Sequence, residues 1–433
     1  SPMSTLSITG GIPLNGSVAI SGSKNASLPL LAASLLIDGE GLLRNIPQID
    51  DVDTMIEMLK ALGATCEIEA DGGLRIDASN VHSVTAPYDL VRKMRGSFYV
   101  AGPLLSRFGE AHVPLPGGCV IGTRPVDFHI RGFKALGATV EEKYGVMHAK
   151  AEALRGAVIY MDPRLRSVGA TVNLMLVAVL AEGTTVIENA SREPEVVNCQ
   201  RFLTGCGADI RGIGTTTLEI QGVKKLHGCE WTTISDRMEA GTFLLEGALT
   251  RGEVTVESVD REHMQIVLEM LAEAGCEISA EDSRITLKMS GRPTSVDVMT
   301  APYPGYPTDL QPGTGVLMAI AQGTSVIEET IFDARFNYID ELIRMGADVR
   351  VMEGAAIFKG VPQLYAAPVV ATDIRAGAAL ILAGLVAEGT TEIAGAGLVG
   401  RGYVDIIGKL RELGADIHRV AGSDGEGEDQ ECS

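Results

Sequence analysis

Apolar positions along this chain change period repeatedly. A stretch with helical spacing ends in a small-residue turn, and alternating apolar and polar residues, the mark of a strand, follow it. The turn recurs as Leu62-Gly63-Ala64, Leu136-Gly137-Ala138, Cys206-Gly207-Ala208, Ala274-Gly275-Cys276, Met345-Gly346-Ala347 and Leu413-Gly414-Ala415. Successive turns lie roughly seventy residues apart, a period that marks an internal repeat. A glycine just past a helix takes the left-handed conformation that satisfies the last carbonyls. After the first turn, Ala64-Thr65-Cys66-Glu67-Ile68 alternates, so a strand is expected to leave the helix.

The upstream half of the unit recurs too. Residues 35–43, 179–187, 244–256, 318–327 and 385–393 each read as an apolar helix end, a glycine turn and a strand. Ala181-Glu182-Gly183-Thr184-Thr185 and Ala387-Glu388-Gly389-Thr390-Thr391 are identical pentapeptides. The second unit, near 122–138, is the least regular. Six such units predict an α/β protein of two domains with three repeats each, helices packed beneath sheets. A solenoid is the alternative that periodicity leaves open, although this unit is longer than most solenoid repeats.

Length agrees with two domains, since 433 residues exceed what one compact core usually holds. A formal net charge of -20 argues against non-specific binding to nucleic acid or anionic lipid. It gives any local cluster of cations extra weight. Seven cysteines are scattered without a CxxC pair, which reads as a reduced, intracellular protein. The histidines are dispersed, so no metal site is expected. Ser1-Pro2-Met3 reads as a cloning scar with no signal peptide after it, and the apolar stretch at 174–181 is too short to span a bilayer. Residues 423–433 are expected to form a disordered acidic tail.

Several stretches carry chemistry. Ser21-Gly22-Ser23-Lys24-Asn25-Ala26 follows an expected strand at 17–20 and precedes an apolar helix expected from about Leu28. A glycine-serine turn at a helix start presents backbone amides to phosphate, and Lys24 adds a charge; a solvated lysine is the alternative. In Val91-Arg92-Lys93-Met94-Arg95-Gly96-Ser97, Arg92 and Lys93 read as a wet face, while Arg95 can turn inward. Pro114-Leu115-Pro116-Gly117-Gly118-Cys119-Val120-Ile121-Gly122-Thr123-Arg124-Pro125 is a loop by its prolines and glycines. A loop cysteine near an arginine reads as a reactive thiol, because a nearby cation lowers its pKa; a structural, inert cysteine is the alternative. Asp309, after a proline-rich run, is either a site carboxylate or a helix cap before Leu310. Arg335, Arg375 and Arg401 are each expected near a helix start, a placement that suggests one anionic site.

Ser21-Gly22-Ser23-Lys24-Asn25-Ala26, the Pro116-Gly117-Gly118-Cys119 loop with Gly122-Thr123-Arg124-Pro125-Val126-Asp127, Ser167-Val168-Gly169-Ala170-Thr171, Pro307-Thr308-Asp309 and Ala371-Thr372-Asp373-Ile374-Arg375 together resemble the UDP-N-acetylglucosamine 1-carboxyvinyltransferases, from about Leu6 to Val420. The resemblance implies a two-domain inside-out α/β barrel, helices inside and sheets outside. Its domains would be 23–233 and 1–22 plus 234–422, with the active site in the cleft between them. It implies transfer of the enolpyruvyl group of phosphoenolpyruvate to UDP-N-acetylglucosamine, the first committed step of peptidoglycan precursor synthesis. The expected protein is a cytoplasmic monomer without cofactor, without nucleic-acid or membrane partners, and inhibited by fosfomycin.

Residue roles follow from the resemblance alone. Lys24, Arg124 and Arg401 would hold the phosphate of phosphoenolpyruvate. Arg335 and Arg375 would face its carboxylate with Asp373 nearby, and Arg95 belongs to the same cluster. Cys119 would be the general acid that fosfomycin alkylates, and Asp309 would contact the sugar hydroxyl. Asn25 and Ile331 would touch the sugar. Arg124, Pro125, Val126, Asp127, Phe128, Ser167, Val168 and Gly169 would hold the uridine diphosphate. Some members carry a lysine where this chain has Leu165, which leaves Arg164 or Arg166 to support the nucleotide. The run Gly397-Leu398-Val399-Gly400 before Arg401 is smaller than usual.

Overall fold

The computed structural model describes residues 4–116, 126–164 and 167–420. Cys119, Arg124, Pro125, Leu165, Arg166 and the acidic tail lie outside the described residues. The chain divides into two compact units. One runs from Gly22 to Ile234, and the other joins the residues up to Ser21 to those from Ser235 onward.

All six turn glycines adopt positive φ, from 99° at Gly207 to 115° at Gly63. At Gly63 the amide bonds back to the Lys60 carbonyl and the next residue, Ala64, reaches Leu59, so the helix Asp50–Leu62 closes on its own carbonyls. The strand Thr65–Ile68 leaves directly.

In the unit 22–234, three sheets are described. The first places Glu230–Thr232, Glu40–Arg44, Leu74–Asp77 and Thr65–Ile68 side by side. The second is Glu110–Pro114, Val146–Lys150 and Thr139–Lys143, and the third is Asp209–Arg211, Thr217–Gln221, Thr184–Glu188 and Val158–Tyr160. Strand Thr217–Gln221 alternates exposed and buried residues, as expected of a sheet with one wet face. Helix Val168–Ala178 is buried on every side from Ala170 on, because its sequence is apolar all round.

The other unit also holds three sheets. In one, Leu6–Thr9 lies between Thr390–Ala394 and Asp416–Arg419, with Leu6 opposite both Ile393 and Arg419. In the next, Asn15–Ala19 pairs in parallel with Glu253–Glu257. The chain's first two strands are thus held by its distant C-terminal half. The third sheet is Val298–Met299, Thr324–Glu328, Ala355–Lys359 and Asp348–Met352.

Helices Arg237–Leu249, Gln311–Ala319 and Ile374–Val386 form the core of this unit, and every residue of Arg237–Leu249 is buried. That helix carries two carboxyls. Glu239 meets Lys409 Nζ at 2.6 Å, and the same ammonium donates to Ser21 Oγ at 2.8 Å. Burial still pushes the Glu239 carboxyl up to about 7. Glu246, two turns on, is fully buried, and its oxygens have no hydrogen-bond partner among the described residues. Burial, then the nearby Glu239, raises its pKa well above the usual carboxylate range.

Candidate active site

The expected site residues fall into two groups, one on each unit. In the unit 22–234 the helix begins at Lys24, four residues before the expected Leu28, because Ser23 caps it: its Oγ accepts from the Ala26 amide at 3.1 Å. Lys24 therefore sits in the first turn. Its ammonium lies 3.0 Å from Asp51 Oδ2, and each side chain is about one-tenth exposed. Asp51 went unnoticed in the sequence, where Asp50-Asp51-Val52-Asp53 signals only an acidic helix start. Asn25 is exposed.

A chain of close contacts brings the rest of this group together. Gly96 approaches the helix of Lys24 so nearly that a Cβ there would stand 2.8 Å from Leu28 Cδ1. Gly96 follows Arg95, which opens the 3-10 helix Arg95–Val100 half-buried, while Arg92 and Lys93 stay exposed. Phe98 of the same 3-10 helix meets the His129 ring edge-on at 5.1 Å. His129 belongs to helix Val126–Ala135, and a Cβ on Gly169 would lie 3.5 Å from its ring. Gly169 is the second residue of helix Val168–Ala178, capped by Ser167, whose Oγ accepts from the Ala170 amide at 3.1 Å. Lys24, Asn25, Arg95, Asp127, Phe128, Ser167, Val168 and Gly169 thus share a linked set of helix beginnings, where amides and macrodipoles favour anions. Phe128 stacks with Arg131 at 5.1 Å. Arg164 is exposed and tied to Asp162 at 2.7 Å.

The second group centres on Asp309. It lies inside the 3-10 helix Thr308–Leu310, and the cap positions of that helix and of Gln311–Ala319 are Pro307 and Leu310 rather than Asp309. Its Oδ1 faces Arg335 Nη2 and its Oδ2 faces Arg375 Nη2, each at 3.3 Å. Both guanidiniums are almost wholly buried, whereas Asp309 is 22% exposed. These contacts are longer than tight charge-assisted hydrogen bonds of about 2.8 Å.

Arg375 also donates to Tyr403 Oη at 3.1 Å, and that hydroxyl bonds Thr242 Oγ1 at 2.8 Å. Burial works against the charge of Arg375. The carboxylate of Asp309 and then Tyr403 and Asp236 more than offset it, raising its pKa. Arg335 packs 4.8 Å from the Phe332 ring centre. Asp373 is the cap of helix Ile374–Val386: its Oδ1 accepts from the amides of Arg375 and Ala376 at 2.9 Å each. Its other oxygen accepts from Asn337 Nδ2 at 2.5 Å. Asp373 thereby fixes where Arg375 starts. Arg401 is half-buried at the end of the 3-10 helix Ala396–Arg401, rather than at a helix start.

Glu329 organises the loops around this group. Its Oε1 accepts from Thr308 Oγ1 at 2.9 Å and Gln311 Nε2 at 3.2 Å. Its Oε2 accepts from Thr300 Oγ1 at 2.7 Å and from the amides of Ile331 and Phe332 at 3.0 and 3.3 Å. One buried carboxylate thus ties the residue before Asp309 to the half-buried Ile331. Nothing in the local sequence marks it, since a glutamate after a strand resembles any surface acid.

A sequence model of EPSP synthase (3-phosphoshikimate 1-carboxyvinyltransferase) matches residues 8–410. A UDP-N-acetylglucosamine 1-carboxyvinyltransferase 1 of Caldanaerobacter subterraneus is 49% identical over 407 residues, covering 94% of this chain and 97% of its own. The UDP-N-acetylglucosamine 1-carboxyvinyltransferase of Halorhodospira halophila is 47% identical, with 96% and 100% covered. Among solved structures, the enolpyruvyl transferase NikO from Streptomyces tendae superposes with a TM-score of 0.88 at 26% identity, over 96% of this chain and 98% of that one. EPSP synthase from Acinetobacter baumannii shares the fold, with a TM-score of 0.78 at 18% identity over 96% and 100%. With a family match along nearly its whole length and almost half its residues identical to such relatives, the chain belongs to the EPSP synthase family and, within it, to the UDP-N-acetylglucosamine 1-carboxyvinyltransferases.

Proposed function

We infer that this protein transfers the enolpyruvyl group of phosphoenolpyruvate to the 3-hydroxyl of the sugar of UDP-N-acetylglucosamine and releases phosphate. The observation that carries the reading is 49% identity to a relative of that name over 94% of this chain. The paired buried arginines around a partly exposed carboxylate support it. Phosphoenolpyruvate needs several fixed cations, and arginine forks match both its carboxylate and its phosphate.

The reaction is addition followed by elimination. A proton reaches the methylene carbon while the sugar oxygen bonds the neighbouring carbon, giving a phosphorylated tetrahedral intermediate. Phosphate then leaves, and loss of a proton from the methyl carbon restores the double bond. Cys119 is the proposed acid for the first proton, and Asp309 accepts the proton of the sugar hydroxyl. Lys24, Arg124 and Arg401 take the phosphate. Arg335 and Arg375, started in place by Asp373, take the carboxylate, and Arg95 adds charge to the same cluster. Asn25 and Ile331 contact the sugar. Pro125, Val126, Asp127, Phe128, Ser167, Val168 and Gly169 contact the uridine diphosphate with Arg124.

The architecture that goes with this reading is an inside-out α/β barrel of six units, in domains 23–233 and 1–22 plus 234–422. It acts as a cytoplasmic monomer in peptidoglycan precursor synthesis and is inhibited by fosfomycin. No helix among the described residues is long and apolar enough to cross a membrane. The deciding assay measures phosphate release from phosphoenolpyruvate with each acceptor offered alone. Release with UDP-N-acetylglucosamine, and none with shikimate 3-phosphate or a sugar-free uridine nucleotide, is expected. Release with shikimate 3-phosphate instead would reject the assigned acceptor.

A further inference from the structure

Two cysteines that play no part in the proposed chemistry face each other. The sulfurs of Cys206 and Cys229 lie 3.4 Å apart. Cys206 closes helix Pro194–Gly205 and is fully buried, whereas Cys229 is half-buried just before strand Glu230–Thr232. The backbone at each cysteine is fixed by a hydrogen bond. The His227 amide donates to the Cys206 carbonyl at 2.9 Å, and Leu42 donates to the Cys229 carbonyl at 3.1 Å. Asn198 of the same helix holds the following strand, accepting from Trp231 Nε1 and donating to Thr233 Oγ1, both at 3.1 Å. A disulfide needs sulfurs roughly 2.0 Å apart, so the two sulfurs have only a short further approach to make.

We propose that Cys206 and Cys229 form a reversible disulfide by exchange with a low-molecular-weight disulfide, Cys229 reacting first and Cys206 resolving. The thiolate of Cys229 attacks one sulfur of the small disulfide and expels one small thiol. Cys206 then gives up its proton and attacks the Cys229 sulfur, closing the bond and expelling the second small thiol. Two protein thiols are oxidised and one small disulfide is reduced to two thiols.

The order of attack follows from burial and from the hydrogen bond between the sulfurs. The contact with the Cys206 sulfur holds the Cys229 pKa down to about 7 against its burial, with help from His227. The same bond, with burial, raises Cys206. Cys66, Cys199 and Cys276 are pushed up to about 11, 12 and 12 by burial and stay inert. The product staples the end of helix Pro194–Gly205 to the strand that leads the chain out of its unit.

The test treats the full-length protein with glutathione disulfide under native conditions, then digests it without reductant for mass analysis. The expected product is a cross-linked pair of peptides bearing Cys206 and Cys229, reversed by dithiothreitol. Cys206→Ser is expected to trap one glutathionyl group on Cys229, while Cys229→Ser leaves Cys206 unmodified. Absence of the linked peptides in the wild-type protein overturns the pairing, whatever the variants do. Glutathionylation of Cys206 in Cys229→Ser at the wild-type rate overturns the order of attack.

Discussion

Arg375 Nη2 stands 3.3 Å from Asp309 Oδ2, a nearly buried cation against a carboxylate that water still reaches. Arg335 takes the other oxygen, so a single negative charge separates two guanidiniums. Replacing Asp309 with alanine leaves those cations facing each other and removes the proposed proton acceptor. Asp309→Ala is expected to lower kcat by about a hundredfold or more, the scale of a lost general base. The same change should cost roughly 2 kcal/mol in a urea melt, less than the roughly 3–5 kcal/mol of a broken fully buried pair because Asp309 is partly wet. Wild-type turnover would remove Asp309 as base.

Arg401 is assigned to the phosphate of phosphoenolpyruvate. Arg401→Ala should weaken the apparent affinity for that substrate by roughly 2–5 kcal/mol, the scale of a truncated charged partner in a desolvated site. Its effect on the apparent affinity for the nucleotide sugar should be small. Steady-state kinetics with each substrate varied in turn separates the two. An unchanged KM for phosphoenolpyruvate would contradict the assignment.

Glu329 accepts hydrogen bonds from Thr300, Thr308, Gln311, Ile331 and Phe332. In Glu329→Gln the new amide group faces donors instead of accepting from them. Stability should fall by about 1–3 kcal/mol, the cost of leaving buried donors unpaired. Because Thr308 precedes Asp309 and Ile331 is assigned to the sugar, KM for UDP-N-acetylglucosamine should rise as well. A variant that loses stability yet keeps both kinetic constants would confine Glu329 to a structural role.

Glu239 sets a pH dependence of stability. Its folded pKa of about 7 lies above the ordinary 4.5, with burial as the main cause. Between those values the folded state binds more protons than the unfolded one, so this group's contribution is full below about 4.5 and is lost as pH rises through about 7. Relative to Glu239→Gln, the wild-type melting temperature should therefore fall as pH is raised across that window. Parallel profiles for the two proteins would contradict the assignment.

Fosfomycin should alkylate Cys119 and inactivate the enzyme, as the family resemblance implies. Intact-protein mass before and after the drug, with Cys119→Asp as control, is the measurement. Modification of the control protein would place the reaction on another cysteine.

What could be read from the chain was what is local. Gly63, Gly137, Gly207, Gly275, Gly346 and Gly414 all take the left-handed conformation that a helix-ending turn requires, and composition alone pointed to it. Arg95 is half-buried beside exposed Arg92 and Lys93, and the Gly96 that follows it is what lets this segment approach Leu28 closely. Pairings across long separations were not legible. The partners of Asp309 lie far along the chain, and its neighbours Pro307 and Thr308 suggest a cap as readily as an ion pair. The helix at Lys24 starts before its apolar run because Ser23, a polar residue, nucleates it from outside the hydrophobic pattern. Asp51 and Glu329 were silent for the same reason: an acidic residue declares its burial only when its partners are in place.

Strand Leu6–Thr9 finds its neighbours only at Thr390–Ala394 and Asp416–Arg419, and the Thr9 and Thr390 hydroxyls that meet there are 381 residues apart in sequence. During synthesis the first strand therefore leaves the ribosome without a mate and waits until the strands at 390–394 and 416–419 have been made. The segment 22–234 is continuous and can condense while that strand is still waiting. The unit that holds Asp309, Arg335 and Arg375 is completed after the segment 22–234, so an early release of the nascent chain yields an ordered fragment with a dangling hydrophobic strand and without the Asp309 group.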